Sequence, residues 1–282
     1  MRTYLDCIPC FFKQALEAAR MAGAGEDVQK KILDSLASEV INFPLSSSPP
    51  EMGQIVYRLV REITGEEDPF KKVKDEYNKI ALNIYPDLKR KVAHSEDRLL
   101  AAIRLAIAGN IIDFGVGNSF VLEKEIKGSF KKDFAIFDYQ EFREILKSTK
   151  QILYLADNAG EVVFDRILIE ELNREVIYVV RDKPVINDAL IEDAKFCGVD
   201  KIAKVVSNGS DAPGTVLDLC SRDFLSLYAK ARLIVSKGQG NFEGLSGRDD
   251  APIFFLLKAK CPIIANDIGC KVGDIILKYN CK

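Results

Sequence analysis

The chain has very little histidine and no tryptophan: His94 is its one imidazole among 282 residues. Zinc sites built on several histidines are therefore excluded, and a histidine base has one candidate at most. We interpret His94, beside Ser95, as a surface or capping residue. Any chemistry is expected to use carboxylates, amides, lysines or a hard metal ion.

The chain also lacks a strong net charge and a long apolar run. Lys and Arg total 40 against 42 Asp and Glu, so nothing in the charge favours nucleic acid as a partner. No run approaches 18 uncharged apolar residues, and the start, "MRTYLDCIPC", lacks the apolar core of a signal peptide. We expect a cytoplasmic protein with no membrane partner.

Cysteine is scattered rather than paired. Seven cysteines, an odd number, argue against a secreted disulfide framework. Cys7 and Cys10 form a CxxC motif, but no second CxxC completes a zinc site and no preceding strand favours thioredoxin chemistry. We interpret them as a buried structural pair at the start of a helix, with a redox role as the alternative.

The pattern of apolar residues changes near residue 150. Residues 1–110 have helical spacing and predict a helical N-terminal domain, and 111–150 predict a polar, helical connecting segment. In 151–282 short Val- and Ile-rich runs alternate with helical stretches, which predicts an α/β fold with a Rossmann-like, mostly parallel sheet flanked by helices. The predicted strands are 151–156, 176–181, 201–207, 232–237, 253–259 and 273–279, with helices at 161–173 and 187–198.

Oxygen-bearing side chains follow two of these strands. Asp157 and Asn158 end the first strand, and Asp188 comes about one βαβ unit later, which needs ~30 residues. The carboxyl ends of parallel strands meet at one edge of a sheet, where ligands bind. Carboxylate and amide oxygens suit Mg²⁺ or Mn²⁺. The same residues are also common helix caps, so capping and metal binding are both open.

Other residues are predicted on the same edge. The loop "SNGSDAPGT" has small residues whose amides can bind an anion, although it is not a Walker motif. Lys237 can pair with a phosphate or with transition-state charge, and Glu243 can orient the lysine or hold a metal-bound water. "AGNIIDFG" is either a helix stop or part of the site wall. The candidate phosphate- or substrate-binding residues are Asn110, Asp113, Ser207, Asn208, Gly209, Ser210, Lys237 and Glu243.

Six ordered motifs together resemble the DUF89 family of metal-dependent damage-control phosphatases. They are "CIPC", "AGNIIDFG", "LADNAGEVVFDRILIEEL", "KPVINDAL", "SNGSDAPG" and "SKGQGNFEGL", and they cover nearly the whole chain. The N-terminal CxxC is similar to the archaeal subfamily associated with nucleotide-type substrates. The resemblance implies a helical N-terminal part and a Rossmann-like sheet.

The resemblance also implies a cofactor and residue roles. A divalent cation, Mn²⁺, Ni²⁺, Co²⁺ or Mg²⁺, is expected on Asp157, Asn158 and Asp188. Lys237 matches the family's phosphate-side lysine, and the loop from Ser207 to Ser210 its phosphate cradle. The expected activity is hydrolysis of phosphate monoesters of small metabolites, among them damaged nucleotides or sugar phosphates. The motif of Cys7 and Cys10 receives no role from the resemblance.

The expected mechanism leaves two routes open. Asp157 either activates a water or attacks phosphorus itself, and water attack is favoured because an Asp that holds a metal is a poorer nucleophile. Two other functions are weighed. An S-adenosylmethionine-dependent carboxyl methyltransferase would want a GxGxG-type turn where "ADNAGE" has one glycine. A metal- or nucleotide-binding regulatory module would leave Lys237 unexplained. The sequence does not indicate the oligomeric state.

Overall fold

The computed structural model describes residues 1–109, 128, 130, 132–248 and 251–280. The first of these ranges is helical, as the spacing predicts. Its helices are α1 (Cys7–Met21), α2 (Glu26–Asn42), α3 (Pro49–Thr64), α4 (Lys71–Ala93) and α5 (Arg98–Ala108). Two candidate residues, Asn110 and Asp113, lie outside the described residues. None of the helices in the described ranges is long and apolar enough to cross a bilayer.

Helix α3 has clear start and stop signals. The Ser48 backbone N–H and hydroxyl both donate to the carboxylate of Glu51, at 2.6 and 2.8 Å, and prolines occupy the first two helical positions. Gly65, with φ of 73°, ends the helix in the left-handed conformation that glycine adopts without strain. The apolar face of α3 packs with α1 and α2 around a core of their own.

In the described part of the chain, seven strands between residues 134 and 279 form one sheet. The strands are β1 (Phe134–Phe137), β2 (Gln151–Leu155), β3 (Glu175–Val180), β4 (Lys204–Ser207), β5 (Ile234–Lys237), β6 (Ile253–Lys258) and β7 (Ile275–Tyr279). Their order in the sheet is β1-β7-β6-β5-β2-β3-β4. Strands β2 to β6 run parallel, while β7 is antiparallel to β6 and parallel to β1. The prediction of an α/β fold with a mostly parallel sheet is confirmed.

Helices cover both faces of the sheet. The remaining described helices are α6 (Tyr139–Ser148), α7 (Glu161–Leu172), α8 (Ile191–Phe196), α9 (Arg222–Lys230), α10 (Gly238–Leu245) and α11 (Pro262–Ile268). One face of the sheet packs with α4, α5 and α7, and the other with α9, α10 and α11. The helices of the predicted N-terminal domain therefore divide between two cores, because α4 and α5 join the sheet.

Three predicted segments differ from the structure. The helix predicted over 187–198 is confined to α8, because the backbone around Asn187 and Asp188 bonds to the segment after β2 instead. The strand predicted over 201–207 is β4 alone, preceded by a 3₁₀ turn at Val199–Lys201. The segment 111–150, predicted as polar and helical, also contains the edge strand β1.

Candidate active site

The site lies where the chain changes direction across the sheet. From β2 the chain moves outward through β3 to β4, and then returns to β5 on the other side of β2. The loops after β2 and β5 therefore diverge and leave a crevice at their carboxyl ends, which is where open α/β sheets bind ligands. Asp157 and Asn158 follow β2, and Lys237 is the last residue of β5.

The structure brings Asp157, Asn158 and Asp188 together. Asn158 and Asp188 form an isolated antiparallel bridge between the loops after β2 and β3. Two backbone hydrogen bonds fix the bridge: the Ala159 N–H donates to Asn187 O and the Ala189 N–H to Asp157 O, both at 2.8 Å. Asp157 and Asn158 are each 8% exposed and Asp188 is 3% exposed. If these three residues only capped helices, their side chains would not need to lie together.

Asp188 is held by a buried arginine that the sequence reasoning missed. Nε of Arg181 donates to Asp188 Oδ2 at 2.7 Å, while its Nη2 donates to Asn241 Oδ1 at 3.0 Å. Arg181 is fully buried at the end of β3. Burial raises the pKa of Asp188, and the Arg181 guanidinium opposes that rise. The signal available in the sequence was a charged residue directly after the apolar run "VIYVV".

The amide of Asn158 lies between two carboxylates. Its Nδ2 donates to Asp157 Oδ2 at 3.0 Å and to Glu161 Oε1 at 2.8 Å. Burial raises the pKa of Asp157 well above its usual range, and the like charges of Glu161 and Asp188 raise it further. A cation beside Asp157 would relieve this repulsion.

Lys237 has acidic partners beneath the site. Its Nζ donates to Glu161 Oε2 at 3.1 Å and to Asp165 Oδ1 at 2.6 Å. Burial by itself lowers the pKa of Lys237, but Asp165 and Glu161 outweigh that effect and raise it, so the ammonium stays charged. The side chain is 1% exposed and does not line the cavity described below. Its predicted contact with phosphate stays a prediction.

Helix α10 begins directly against Asp157. Gly238 has φ of 77°, and a Cβ atom there would lie 1.9 Å from Asp157 Oδ2. Only glycine fits, because any side chain would collide with the carboxylate and would also strain the backbone. The sequence "KGQG" therefore brings the first turn of α10 into contact with the site.

The loop after β4 uses its polar groups internally. The Gly209 N–H donates to Ser207 Oγ and the Ser210 N–H donates to Asn208 Oδ1, both at 2.9 Å. Ser207 in turn donates to Asp182 Oδ1 at 2.8 Å. Among the described residues of this loop, Pro213 is the one that lines the cavity. The structure therefore places the predicted phosphate cradle beside the site rather than on its surface.

A cavity of about 490 Å³ opens over Asp157, Asn158 and Asp188. Its floor is the carboxyl edge of the sheet, and its roof is formed by α1 and α3. Phe11, Tyr57 and Phe70 give part of the wall an aromatic surface. The polar and thiol-bearing residues that line it further include Asp6, Cys7, Cys10, Gln14, Glu17, Asn187, Gln239, Glu243, Lys260 and Cys261.

Cys7, Cys10 and Glu243 line this cavity. The two cysteines lie at the start of α1 as predicted, but their predicted burial is wrong, because Cys7 is half-buried and Cys10 is exposed. Burial raises the pKa of the Cys7 thiol, and Cys10 Sγ donates weakly to Asp6 O at 3.7 Å. Burial raises the pKa of Glu243 to about 7, while the hydrogen bond from Gln239 opposes the rise. The ammonium of Lys237 bonds to Glu161 and Asp165 rather than to Glu243, so the predicted orienting role passes to those two acids.

Lys260 is the cation that the sequence reasoning missed. It follows β6, the next parallel strand after β5, and is exposed on the cavity wall. Its charge lowers the pKa of both Asp157 and Glu161, although burial and neighbouring acids dominate. The sequence contained the signal for Lys260. The segment "KAKCP" follows an apolar run, and residues that follow parallel strands meet at one edge of the sheet.

The donor set fits a hard divalent cation. The described part of the chain contains no cluster of three His, Cys, Asp or Glu side chains that could hold a metal. Asp157, Asn158 and Asp188 instead offer two carboxylates and one amide oxygen, an incomplete shell of the kind that Mg²⁺ completes with water and phosphate. The buried groups bonded around them are four acids and two bases, a formal charge of −2 when all are ionised: Asp157, Glu161, Asp165 and Asp188 with Arg181 and Lys237.

Comparison with known proteins gives one consistent result. Residues 3–276 match the model of the damage-control phosphatase ARMT1-like domain. The chain is 36% identical to a damage-control phosphatase of Pyrococcus horikoshii, over 99% of both chains, and 36% identical to one of Archaeoglobus fulgidus, over 96% of this chain and 97% of the relative. A crystal structure of a DUF89 family protein from P. horikoshii superposes with a TM-score of 0.92 at 35% identity, covering 99% of each chain.

Proposed function

Because the chain belongs to the damage-control phosphatase ARMT1-like domain family, we propose that it is a metal-dependent phosphatase acting on phosphate monoesters of small metabolites. The observation that carries this proposal is the meeting of Asp157, Asn158 and Asp188 on the floor of the cavity. A cytoplasmic location, Mn²⁺, Ni²⁺, Co²⁺ or Mg²⁺ as the cation, and nucleotide or sugar phosphates as substrates are parts of the same proposal.

The charge of the floor supports a divalent cation. One divalent ion would balance the formal charge of −2 that the buried groups around Asp157 and Asp188 carry when ionised, and would relieve the repulsion that raises the pKa of Asp157. When bound, such an ion would polarise a phosphoryl oxygen and lower the pKa of a nearby water. Asp157, Asn158 and Asp188 would hold it through their side-chain oxygens, and Arg181 keeps Asp188 oriented.

The roles of the remaining residues follow from their positions. Asp157 lies against the first turn of α10, where it accepts the proton of the attacking water. Lys260 lines the cavity, where its ammonium would offset charge on the phosphoryl oxygens. We propose Lys260 rather than Lys237 for this contact, because Lys260 lines the cavity and Lys237 does not. The aromatic wall accommodates the leaving group and excludes water.

The first test is release of phosphate from p-nitrophenyl phosphate and from a panel of nucleotides and sugar phosphates. It is run with Mn²⁺, Ni²⁺, Co²⁺, Mg²⁺ or EDTA. We expect metal-dependent activity that Asp157→Ala lowers by at least about a hundredfold, since it removes both a cation ligand and the proton acceptor. Asp87→Ala, at an exposed aspartate on α4, is the matched control and should keep wild-type activity.

No release of phosphate with any metal, from folded protein, would overturn the phosphatase proposal. Equal activity in EDTA would support a hydrolase but contradict its dependence on a cation. If Asp157→Ala were as active as Asp87→Ala, the active site would not lie at the loop after β2.

A further inference from the structure

The amide of Asn158 has to present a particular end to the cavity. Its Nδ2 uses both protons on carboxylates, one on Asp157 and one on Glu161. This leaves Oδ1 as the atom available for a cation. The two ends of an amide are nearly the same size, so sterics do not choose between them. In the reversed orientation Oδ1 would face two carboxylates and Nδ2 would face the cation, which is unfavourable at both ends.

Glu161 selects the orientation through its position between two donors. It is 2% exposed, so no solvent competes for its oxygens. Lys237 donates to Oε2 at 3.1 Å, which leaves Oε1 directed at the Asn158 amide, 2.8 Å away. The arrangement is a buried ion pair whose second oxygen is directed at the site.

Lys237 is fixed in its turn from below. Asp165 accepts from Lys237 Nζ at 2.6 Å, and two tyrosine hydroxyls donate to the same carboxylate. Tyr154 OH donates to Oδ1 at 2.7 Å and Tyr178 OH to Oδ2 at 2.8 Å. Every one of these side chains is 2% exposed or less, so the path has no competing solvent. The tyrosines come from β2 and β3, the two strands that carry the donor loops.

We propose that Glu161, Lys237 and Asp165 are positioning residues, which hold Oδ1 of Asn158 toward the cation and act on the reaction through it. This inference rests on the proposed metal-dependent function. Residues behind metal ligands commonly fix ligand orientation in this way. The series of hydrogen bonds extends from the two tyrosines on the sheet to the floor of the cavity, and it gives Lys237 a role without contact with phosphate.

The test is the binding of Mn²⁺ to metal-free protein without substrate, measured by titration calorimetry. Glu161→Gln is expected to raise the Kd for Mn²⁺ by about tenfold or more. The new amide would give its oxygen to the Lys237 ammonium and turn its NH₂ toward Asn158. Asn158 would then turn its own oxygen toward that NH₂ and away from the cation.

Two tyrosine variants extend the test with a matched control. Tyr154→Phe and Tyr178→Phe each remove one hydroxyl from Asp165, and we expect the Kd for Mn²⁺ to rise by a smaller factor in each. Tyr139→Phe also removes a hydroxyl bonded to a carboxylate, that of Asp97, and neither of these two residues lines the cavity. It should lower thermal stability by a similar amount and leave the Kd for Mn²⁺ unchanged.

The outcomes separate this inference from the proposed function. A wild-type Kd in Glu161→Gln overturns the positioning role, as does loss of thermal stability without any change in Kd. Wild-type protein that binds no divalent cation would instead overturn the metal-dependent function. If Glu161→Gln does not fold, the difference between Tyr178→Phe and Tyr139→Phe decides the question.

Discussion

At the scale of single residues, two lysines at the ends of neighbouring strands have different surroundings. Lys237, the last residue of β5, is buried against Glu161 and Asp165, while Lys260, after β6, is exposed on the cavity wall. The two carboxylates beside Lys237 screen the field of its ammonium at the cavity, whereas Lys260 lies on the cavity wall itself. The two residues should therefore give different kinetic results when their charge is removed.

Lys260→Met should lower kcat/KM for phosphate release by about tenfold or more, because the ammonium offsets charge that grows on the phosphoryl oxygens. The Kd for Mn²⁺ should not rise, because the loss of a positive charge near Asp157 does not weaken the binding of a cation. Steady-state kinetics and calorimetry measure the two quantities. Lys258→Met, two residues earlier at the end of β6, is the control and should change neither. Unchanged kinetics in Lys260→Met would remove it from the proposed site.

The sequence was sufficient to predict the meeting of Asp157, Asn158 and Asp188. Their strands are adjacent and parallel, so the rule on strand ends applies directly. It was not sufficient for the partners of Lys237. Those depend on which face of α7 turns toward the sheet, and the apolar pattern there is nearly uniform because most of that helix is buried. The strand pattern therefore predicts where a residue lies on the sheet, but it does not predict which side chains from the helices contact that residue.

At the scale of elements, α10 owes its position to a face of glycines. A Cβ at Gly240 would lie 2.3 Å from Pro213 O, and one at Gly244 would lie 2.2 Å from Thr215 O. The helix therefore packs directly on the backbone of the loop after β4. That loop carries Thr215, which donates to Asn241 Oδ1 at 2.7 Å and so supports Arg181. The loop that contains the predicted phosphate cradle therefore also supports α10.

Gly244→Ala tests this contact. Alanine normally stabilises a helix interior by about 1 kcal/mol relative to glycine, but here the collision should reverse the sign and lower the free energy of unfolding by about 1–3 kcal/mol. Urea denaturation measures the change. Gly247→Ala, where a Cβ meets nothing within 4 Å, is the control and should not destabilise. A more stable Gly244→Ala would contradict the close packing.

The elements themselves were largely predictable, and the exceptions have physical causes. Central parallel strands are continuous apolar runs, which is why β2, β3, β5 and β6 were found. The strand β1 is an edge strand with alternating burial and four residues, too short for its pattern to stand out. The local pattern predicts a helix in the segment before α8. It contains no sign that the backbone there bonds to the loop after β2.

At the scale of the whole molecule, burial of acids beside the cavity should make stability depend on pH. Glu243 has a pKa of about 7 in place of the ordinary 4.5, because burial disfavours its charge. The folded protein therefore holds this proton more tightly than the unfolded chain. Ionisation of Glu243 then favours unfolding, so its contribution to stability is present below pH 4.5 and is lost as pH rises toward 7.

Glu243→Gln should flatten this dependence, because the neutral amide keeps the acceptor for Gln239 and has no proton to lose. We expect the variant to gain stability relative to the wild type as pH rises from about 5 to 8. Thermal unfolding across that range, in EDTA, measures it. Glu17→Gln, on the exposed lip of the cavity, should follow the wild-type curve. If the stability of Glu243→Gln and of the wild type changed with pH in the same way, the raised pKa of Glu243 would be contradicted.

The division of the cavity between two hydrophobic cores has an evolutionary consequence. The roof belongs to the core of α1, α2 and α3, while the floor belongs to the sheet and its helices. Substitutions in the roof therefore fall mostly outside the core that carries the residues proposed to hold the cation, with Val185 as the link between the two. A lineage built on this plan can exchange one leaving group for another by drift in its first three helices, and keep its chemistry intact.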